Sequence, residues 1–400
     1  MKKSRRKQTE EEVLGVYERV SPSIYPIEDK KVFRQYQLFR ESLFRDRLHF
    51  PLQMFADAEL LDFGSGTGEI DIFYALWGAR VTGVELNPFS IERCHKLFRR
   101  YKVEQALTLH QGSLFDFSSP KKFDIVVSNG VLHHTAEQKR GFINLVSFLK
   151  PGGFVYISIG NNAGAFQRNL QRLILYTVSA SEKELVAAAK FLFPEHIARA
   201  VLYSRRSADS IIYDSYVVPK ADNVSGEELL QWFSENGIRF YSSWPPLSFP
   251  FPLVDSPRQA VVDYTKKKYR GLFSWSEYFW MIANENDREV IEQRREGLED
   301  MKGMRTIVST LKDVTPDFKL DVERFQDLIR SEIRNAPWQS VHRAEGKKLS
   351  LFFQEVLSVI SLLKETKDLT KLKKRIDTTA ILFKGYCGLG DAYYLGYKES

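Results

Sequence analysis

Residues 59–160 alternate short apolar segments with amphipathic ones, and this alternation constrains the fold more than any other feature of the sequence. The apolar segments have the length and the β-branched content of strands, and the segments between them have the apolar spacing of helices. The predicted strands read ELLDF, VTGVEL, ALTLHQ, FDIVVSN and FVYISIG. Because strands joined by helices pair in parallel through right-handed crossovers, we predict an α/β fold built on a parallel sheet.

The chain beyond residue 160 is predicted to be mainly helical, with two returns to strand. The segment GIRFYSSW at 237–244 predicts a strand, and AILFKGYCGLGDAYYLGYK predicts two strands around a glycine-rich turn. The predicted divisions are an N-terminal helical segment, a ligand-binding core, a helical cap, a core helix with a strand, a second helical insertion and a return to the sheet, at 1–50, 51–160, 161–221, 222–252, 253–379 and 380–400.

The first predicted strand runs into a turn, DFGSGTGE, in which Gly64, Gly66 and Gly68 occupy alternate positions. A dinucleotide fingerprint needs its third glycine at position 69, which is Glu69 here, and no P-loop Gly-Lys-Ser/Thr follows. The carboxylate of Asp62, just before the glycines, would repel a phosphate. The turn therefore favours a ligand whose nearby end carries an ammonium and a sulfonium.

A second carboxylate, Glu85, ends the next predicted strand in GVELN. A carboxylate in that place can accept hydrogen bonds from both hydroxyls of a ribose. Together with the glycine turn it favours an adenosyl ribose without a pyrophosphate, which indicates S-adenosylmethionine.

Four separated segments, LLDFGSGTG, VTGVELNP, FDIVVSNGVLHH and LKPGGFVYIS, carry a family resemblance. In this order and spacing they resemble the class I, Rossmann-like S-adenosylmethionine-dependent methyltransferases over about residues 59–160. The resemblance implies a mostly parallel seven-stranded sheet with an antiparallel last strand, plus a large helical insertion or cap. Residues 392–398 would be strand seven beside strand six at 237–244, with 253–379 inserted near the substrate opening. The alternative is a separate helical domain for dimerisation, which would make a homodimer.

The resemblance also implies roles for residues at the strand ends. Asp62, Gly64, Gly66 and Gly68 would lie under the methionine moiety of the cofactor. The other implied cofactor residues are Glu85 at the ribose, Leu86, Ser113 and Leu114 at the adenine, and Asn129, whose carbonyl would face the methionine ammonium. Family members usually have an acidic residue at the position of Ser113, so Asp116 or a backbone carbonyl would have to replace that contact.

Two adjacent histidines, His133 and His134, follow the fourth predicted strand and are the candidate catalytic residues. Either could act as a general base or orient the acceptor, because imidazole titrates near neutral pH. The structural alternative is that they cap or pack the following helix. Cys94 and Cys387 have no metal-ligating partner at motif spacing, so we expect no metal site.

The sequence favours a small-molecule acceptor. It lacks the Asn-Pro-Pro-aromatic motif of amino-group DNA methylases, the Pro-Cys of cytosine-C5 enzymes and the paired-Glu loop of arginine methyltransferases. Aromatic residues in two segments predict a cover suited to an apolar or ring-bearing acceptor. They are Tyr241, Trp244, Phe249, Tyr269, Phe273, Trp275, Tyr278, Phe279 and Trp280. The alternative is that Trp275, Phe279 and Ile282 form one core-facing helix surface.

Charge and composition limit the other functional classes. The net charge of +7 leaves an RNA methyltransferase as a rival function, with nucleic acid still the less favoured partner, and the replaced acidic residue leaves a non-catalytic partner protein as another. The cation-rich start, MKKSRRK, is predicted to be a solvated tail. No apolar segment is long enough to cross a membrane, and two cysteines in 400 residues favour a cytoplasmic location.

Overall fold

A seven-stranded sheet organises the chain, in the order β3-β2-β1-β4-β5-β7-β6. The computed structural model describes residues 5–20, 27–204, 206–218, 222–245, 277–278, 281–282, 302–335, 343–385 and 387–399. The strands are β1 (Glu59–Phe63), β2 (Arg80–Glu85), β3 (Leu107–Gln111), β4 (Phe123–Asn129), β5 (Leu149–Gly160), β6 (Ile238–Trp244) and β7 (Asp391–Lys398). The first five are parallel to one another, as the alternating sequence predicts.

The last strand is inserted between two earlier ones. β7 pairs antiparallel with β5 on one side and with β6 on the other, so the predicted pairing of 392–398 with 237–244 is confirmed. The predicted strand before β7 is wrong, because residues 381–385 and 387–390 form no strand. Glu355 accepts the backbone N–H groups of residues 380–382, and Phe383, Gly385, Cys387 and Gly388 have positive φ, so this segment offers no extended edge.

The helices of the sheet region are α1 (Arg5–Val20), α2 (Lys30–Ser42), α3 (Asp71–Leu76), α4 (Pro88–Arg100), α5 (Gln138–Ser147) and, before β6, α10 (Gly226–Glu235). The pair α3 and α4 packs on one face of the sheet, and the pair α5 and α10 packs on the other. Asn87 caps α4 by accepting the N–H of Phe89, with Pro88 at the first helical position. Alternate residues of β1 enter different cores: Leu60 packs with α3 and α4, and Leu61 packs with α5 and α10.

The remaining helices form a third core away from the sheet. They are α6 (Phe166–Val178), α7 (Glu182–Leu192), α8 (Pro194–Ser204), α9 (Ala208–Ile212), α11 (Lys302–Thr310), α12 (Val322–Asn335), α13 (Arg343–Glu365) and α14 (Leu369–Asp377). Their buried faces share one cluster, which includes Leu170, Ala189, Ile307 and Phe352. The helices before and after β6 are therefore one packed body, although 161–221 and 253–379 are separate in the sequence.

The predicted aromatic cover falls mostly outside the described residues. Phe249, Tyr269, Phe273, Trp275, Phe279 and Trp280 all lie there. Of the described members, Tyr278 is buried in the helical core, Tyr241 is 43% exposed, and Trp244 lines a cavity at the strand ends. Among the helices that the structure describes, none is long and apolar enough to span a membrane.

Candidate functional site

A cavity of about 840 Å³ opens at the carboxyl ends of the parallel strands. This is the edge at which open α/β sheets bind ligands, and the volume is typical of sites for small molecules and cofactors. Its wall includes Gly64 after β1, Glu85 at the end of β2, Asn129 at the end of β4 and Gly160 at the end of β5. One end of the wall comes from the sheet and α1, and the other from α6, α8 and α9.

The glycine turn after β1 has three glycines with positive φ, of +90° at Gly64, +55° at Gly66 and +82° at Gly68. A β-carbon at Gly64 would lie 2.3 Å from Val131, and one at Gly68 would lie 2.5 Å from Sγ of Cys94. At Gly66 the nearest atom would be 4.0 Å away. Packing therefore requires Gly64 and Gly68, whereas Gly66 leaves open space from which a ligand can approach the backbone.

Glu85 is positioned by two backbone donors. Its Oε2 accepts the N–H of Gly66 at 2.8 Å and its Oε1 accepts the N–H of Asn87 at 2.8 Å. Burial raises the pKa of Glu85, while these backbone hydrogen bonds oppose the shift. Each oxygen has further acceptor capacity, so the carboxylate can bind two hydroxyls without leaving its position.

Asp62 lies behind the glycine turn and is not in the cavity wall. Its carboxyl is fully buried beside that of Asp71 at the start of α3. Burial and then the adjacent carboxylate raise the pKa of Asp62 well above its usual range, and burial raises that of Asp71 as well. Two buried carboxyls so placed disfavour ionisation of both at once. Gly68 also lies outside the wall, behind the turn.

The N-terminal helix α1 lies against the sheet end of the cavity. Arg6 donates two hydrogen bonds to Asp116, of 2.9 and 3.1 Å, and its side chain is only 15% exposed. Ser113 Oγ donates to Oε1 of Glu10 at 2.5 Å. Glu10, Val13 and Leu14 are in the cavity wall. The prediction of a solvated tail is therefore wrong from Arg6 onward. Asp116, which lies outside the cavity wall, forms an ion pair with Arg6.

The two histidines lie in the cavity wall in a short 3₁₀ turn, Leu132–His134, after β4. Nδ1 of His133 accepts the N–H of Gly160 at 3.4 Å, and the rings of His133 and His134 are 4.1 Å apart between centroids. Burial, followed by the neighbouring His134 and Arg168, lowers the pKa of His133 well below its usual range. His133 is therefore neutral at pH 7, and its Nε2–H is the remaining donor.

The far end of the cavity is basic. Arg168 and Arg172 project from one face of α6, and His196 and Arg199 from one face of α8. Arg206, whose Nη1 donates to Asp214 at 2.8 Å, completes this group. Burial, with Arg168 and Arg199 adding to it, lowers the pKa of His196 to about 4, so the imidazole is neutral.

Residues 61–155 match a family model described as a methyltransferase domain. The strand order, with an antiparallel last strand beside β5 and β6, agrees with that match. Residues 61–155 therefore form a methyltransferase domain, and the sheet that holds them has the class I, Rossmann-like order.

Relatives of the methyltransferase domain are similar over part of their length. The chain is 27% identical over 196 residues to an uncharacterized protein of Synechococcus sp., covering 45% of this chain and 47% of that protein. It is 31% identical over 114 residues to the ubiquinone biosynthesis O-methyltransferase of Marinobacter nauticus, covering 28% of this chain and 48% of that enzyme. The chain thus spans about half the length of these curated relatives.

Solved structures are also similar to the methyltransferase domain. The glycopeptide N-methyltransferase complexed with S-adenosyl-L-homocysteine is 23% identical, with a TM-score of 0.26, over 28% of this chain and 48% of that chain. The magnesium protoporphyrin IX methyltransferase of Synechocystis with bound SAM is 20% identical, with a TM-score of 0.25, over 26% of this chain and 50% of that chain.

Most residues predicted to bind the cofactor, and both residues predicted to be catalytic, meet in one wall. Gly64, Gly66, Glu85, Leu86, Ser113, Leu114, Asn129, His133 and His134 all line the cavity. Sequence reasoning missed Glu10, because its only local signal is its place in a cation-rich, Glu-rich N-terminal stretch. It also missed the arginines, although Arg168 and Arg172, four residues apart on a largely apolar helix, were a usable signal.

Proposed function

We propose that this chain is an S-adenosylmethionine-dependent methyltransferase acting on a small-molecule acceptor through an O, N or C nucleophile. The observation that carries the proposal is the carboxylate of Glu85, held by the N–H groups of Gly66 and Asn87 beside an open glycine backbone. This arrangement fits an adenosyl ribose and lacks the three-glycine spacing of a pyrophosphate site.

The residues fit the cofactor in three places. Glu85 would accept the ribose hydroxyls, Leu86 and Leu114 would contact the adenine, and Gly64, Gly66 and the carbonyl of Asn129 would border the methionine moiety. Asp62 and Gly68 would act from behind, since they lie outside the wall and support the turn through Asp71 and Cys94. When bound, S-adenosylmethionine would supply an electrophilic methyl group on a sulfonium.

We propose that the carboxylate of Glu10 accepts a hydrogen bond from the adenine amino group. Ser113 stands where an acidic residue is expected, and its hydroxyl donates to the Glu10 carboxylate at 2.5 Å. A carboxylate on α1 would therefore take the place of the acidic residue that the loop after β3 lacks. Glu10 keeps an acceptor oxygen for an amine donor, and Ser113 orients it.

The chain contributes to the reaction mainly by alignment and by excluding water. Positioning two reactants can supply about 7–11 kcal/mol of the barrier, more than the roughly 3–5 kcal/mol of a general base. His133 suits alignment, because its Nδ1 is engaged by Gly160 and its pKa is low. We propose that Nε2–H of His133 holds the acceptor in place and that His134 packs against it.

Calorimetry of the full chain with S-adenosylmethionine and S-adenosylhomocysteine tests the cofactor assignment. Both should bind, and Glu85→Ala should weaken both at least tenfold, while Glu59→Ala, a surface carboxylate at the opposite end of β1, should not. Binding of NAD or ATP in place of both would reject the proposal. A screen of cell metabolites with methyl-labelled S-adenosylmethionine then identifies the acceptor, and label transfer to no metabolite would favour a non-catalytic protein.

A further inference from the structure

The basic end of the cavity has more positive charge than its buried surroundings neutralise. Arg172 is 3% exposed, and its Nε and Nη2 donate to the carbonyls of Val314 and Val218, each at 3.1 Å. Its Nη1 is buried and has no hydrogen-bond partner among the described residues. Carbonyls satisfy donors but carry no net charge, so this guanidinium remains a buried cation.

Arg168 lies one helical turn before Arg172 and adds a second cation. Among the described residues its ion-pair partner is Asp391, at 4.0 Å between Nη1 and Oδ1, and that carboxylate is 55% exposed. Gly390 makes room for the guanidinium, since a β-carbon there would lie 3.1 Å from Nη2 of Arg168. An exposed ion pair of this length compensates little of the charge.

Most charges of the cavity wall are segregated between its two ends. Glu10, Glu69 and Glu85 lie at the sheet end, and Arg168, Arg172 and Arg199 lie at the helical end, where the carboxylates in the wall are Asp214, paired with Arg206, and Asp391. His133 links them, because it follows β4 and is close enough to Arg168 for that cation to lower its pKa. Arg40 and Arg47 are also in the wall, but Arg40 faces Asp62 and Asp71, and Arg47 stacks on Trp244 at 4.7 Å.

We infer that the acceptor of the proposed methyl transfer carries an anionic group, a carboxylate or a phosphate, that binds Arg168, Arg172 and Arg199 at the helical end of the cavity. The inference rests on the proposed function, because the bound molecule is an acceptor only if the chain transfers a methyl group to it. The free Nη1 of Arg172 and the guanidinium of Arg168 supply charge-assisted donors, and neutral His196 adds a hydrogen-bonding group beside them. An anion there would place the rest of the molecule toward His133. This replaces a purely apolar acceptor with an amphipathic one.

The test uses the full chain saturated with S-adenosylhomocysteine and three ring-bearing probes: benzoate, phenyl phosphate and benzyl alcohol. At least one anion should bind ten times more tightly than benzyl alcohol, and the tighter of the two anions distinguishes a carboxylate from a phosphate. Arg168→Gln should weaken the anions by at least tenfold and leave the affinity for S-adenosylhomocysteine unchanged. Arg168 is chosen because Arg172, which ties two loops, is more prone to unfold the protein when replaced.

Arg330→Gln is the matched control, since Arg330 pairs with Asp327 on the surface of α12, outside the cavity wall. It should change neither affinity. Equal binding of the alcohol and both anions would overturn the inference, as would an Arg168→Gln variant that loses S-adenosylhomocysteine as strongly as the anions. Titration of the anions without S-adenosylhomocysteine separates the two proposals: if only the cofactor fails to bind, methyl transfer is rejected and the anion site stands.

Discussion

Glu10 provides the sharpest test of how the cofactor is recognised. Glu10→Gln keeps an acceptor oxygen and the side-chain length but removes the charge. A hydrogen bond to a charged group contributes about 1.5–3 kcal/mol and one between neutral groups about 0.5–1.5 kcal/mol. Glu10 is half-buried, so the low ends apply, and the difference of about 1 kcal/mol predicts roughly fivefold weaker S-adenosylhomocysteine binding.

The assay compares S-adenosylhomocysteine with S-inosylhomocysteine, in which a carbonyl oxygen replaces the adenine amino group. The wild-type carboxylate should reject that oxygen, whereas the amide of Glu10→Gln can donate to it. Calorimetry should therefore show that the ratio of the dissociation constants for the inosyl and adenosyl ligands is about tenfold smaller in the variant than in the wild type. Glu12→Gln is the control, because Glu12 lies exposed on the same helix, outside the cavity wall, and accepts a surface hydrogen bond from Gln8. An unchanged preference in Glu10→Gln would refute the assignment.

Three further predictions concern the turn and a buried carboxyl. Gly66→Ala adds a methyl to open cavity space, so the S-adenosylmethionine dissociation constant should rise tenfold in calorimetry while the unfolding free energy falls by only about 1–2 kcal/mol. Gly68→Ala should instead lower the unfolding free energy in urea titrations by about 3 kcal/mol or more, because its β-carbon would meet Cys94; a smaller loss than at Gly66 would contradict the packing argument. Glu277 is buried and accepts from Asn161 at 2.6 Å and from the N–H of Gly226, and burial raises its pKa to about 7 from 4.5. Its contribution to stability is full below pH 4.5 and is lost as the pH rises through 7, so unfolding free energy should fall by about 3 kcal/mol between pH 4.5 and 8. Denaturant titrations of Glu277→Gln across that range should show an unfolding free energy that depends less on pH. The same pH dependence in the variant and the wild type would exclude the Glu277 carboxyl as its source.

The sheet and the sheet side of the site were predictable because their signals are local. A strand, a glycine turn and a carboxylate at the next strand end lie within residues 59–85 and place Gly66 and Glu85 together by parallel pairing alone. β7 was instead placed beside β6 by the family resemblance, because AYYLGYK does not alternate apolar and polar residues. Local signals also misled: residues 381–390 have strand-like composition, but the distant Glu355 binds the backbone that a strand would need.

The contacts between distant segments that complete the site could not be predicted, because these residues meet only through tertiary packing. Glu10 and Ser113 are far apart in the chain, and the sequence of the N-terminal stretch does not indicate which loop it contacts. Arg172 reaches the site because carbonyls from two other segments hold its guanidinium. Asp62 shows the reverse case, in which a motif residue was found but its burial beside Asp71 was not.

The position of β7 has a consequence for how the protein is made. Residues 391–398 occupy the interior of the sheet, yet the ribosome synthesises them after β6 and after all of the intervening helices. Until they emerge, the edge of β5 stays uncovered and β6 has no partner in the sheet. The nascent chain therefore has uncovered β edges until residues 391–398 are made, and exposed edges of this kind favour edge-to-edge aggregation and chaperone binding.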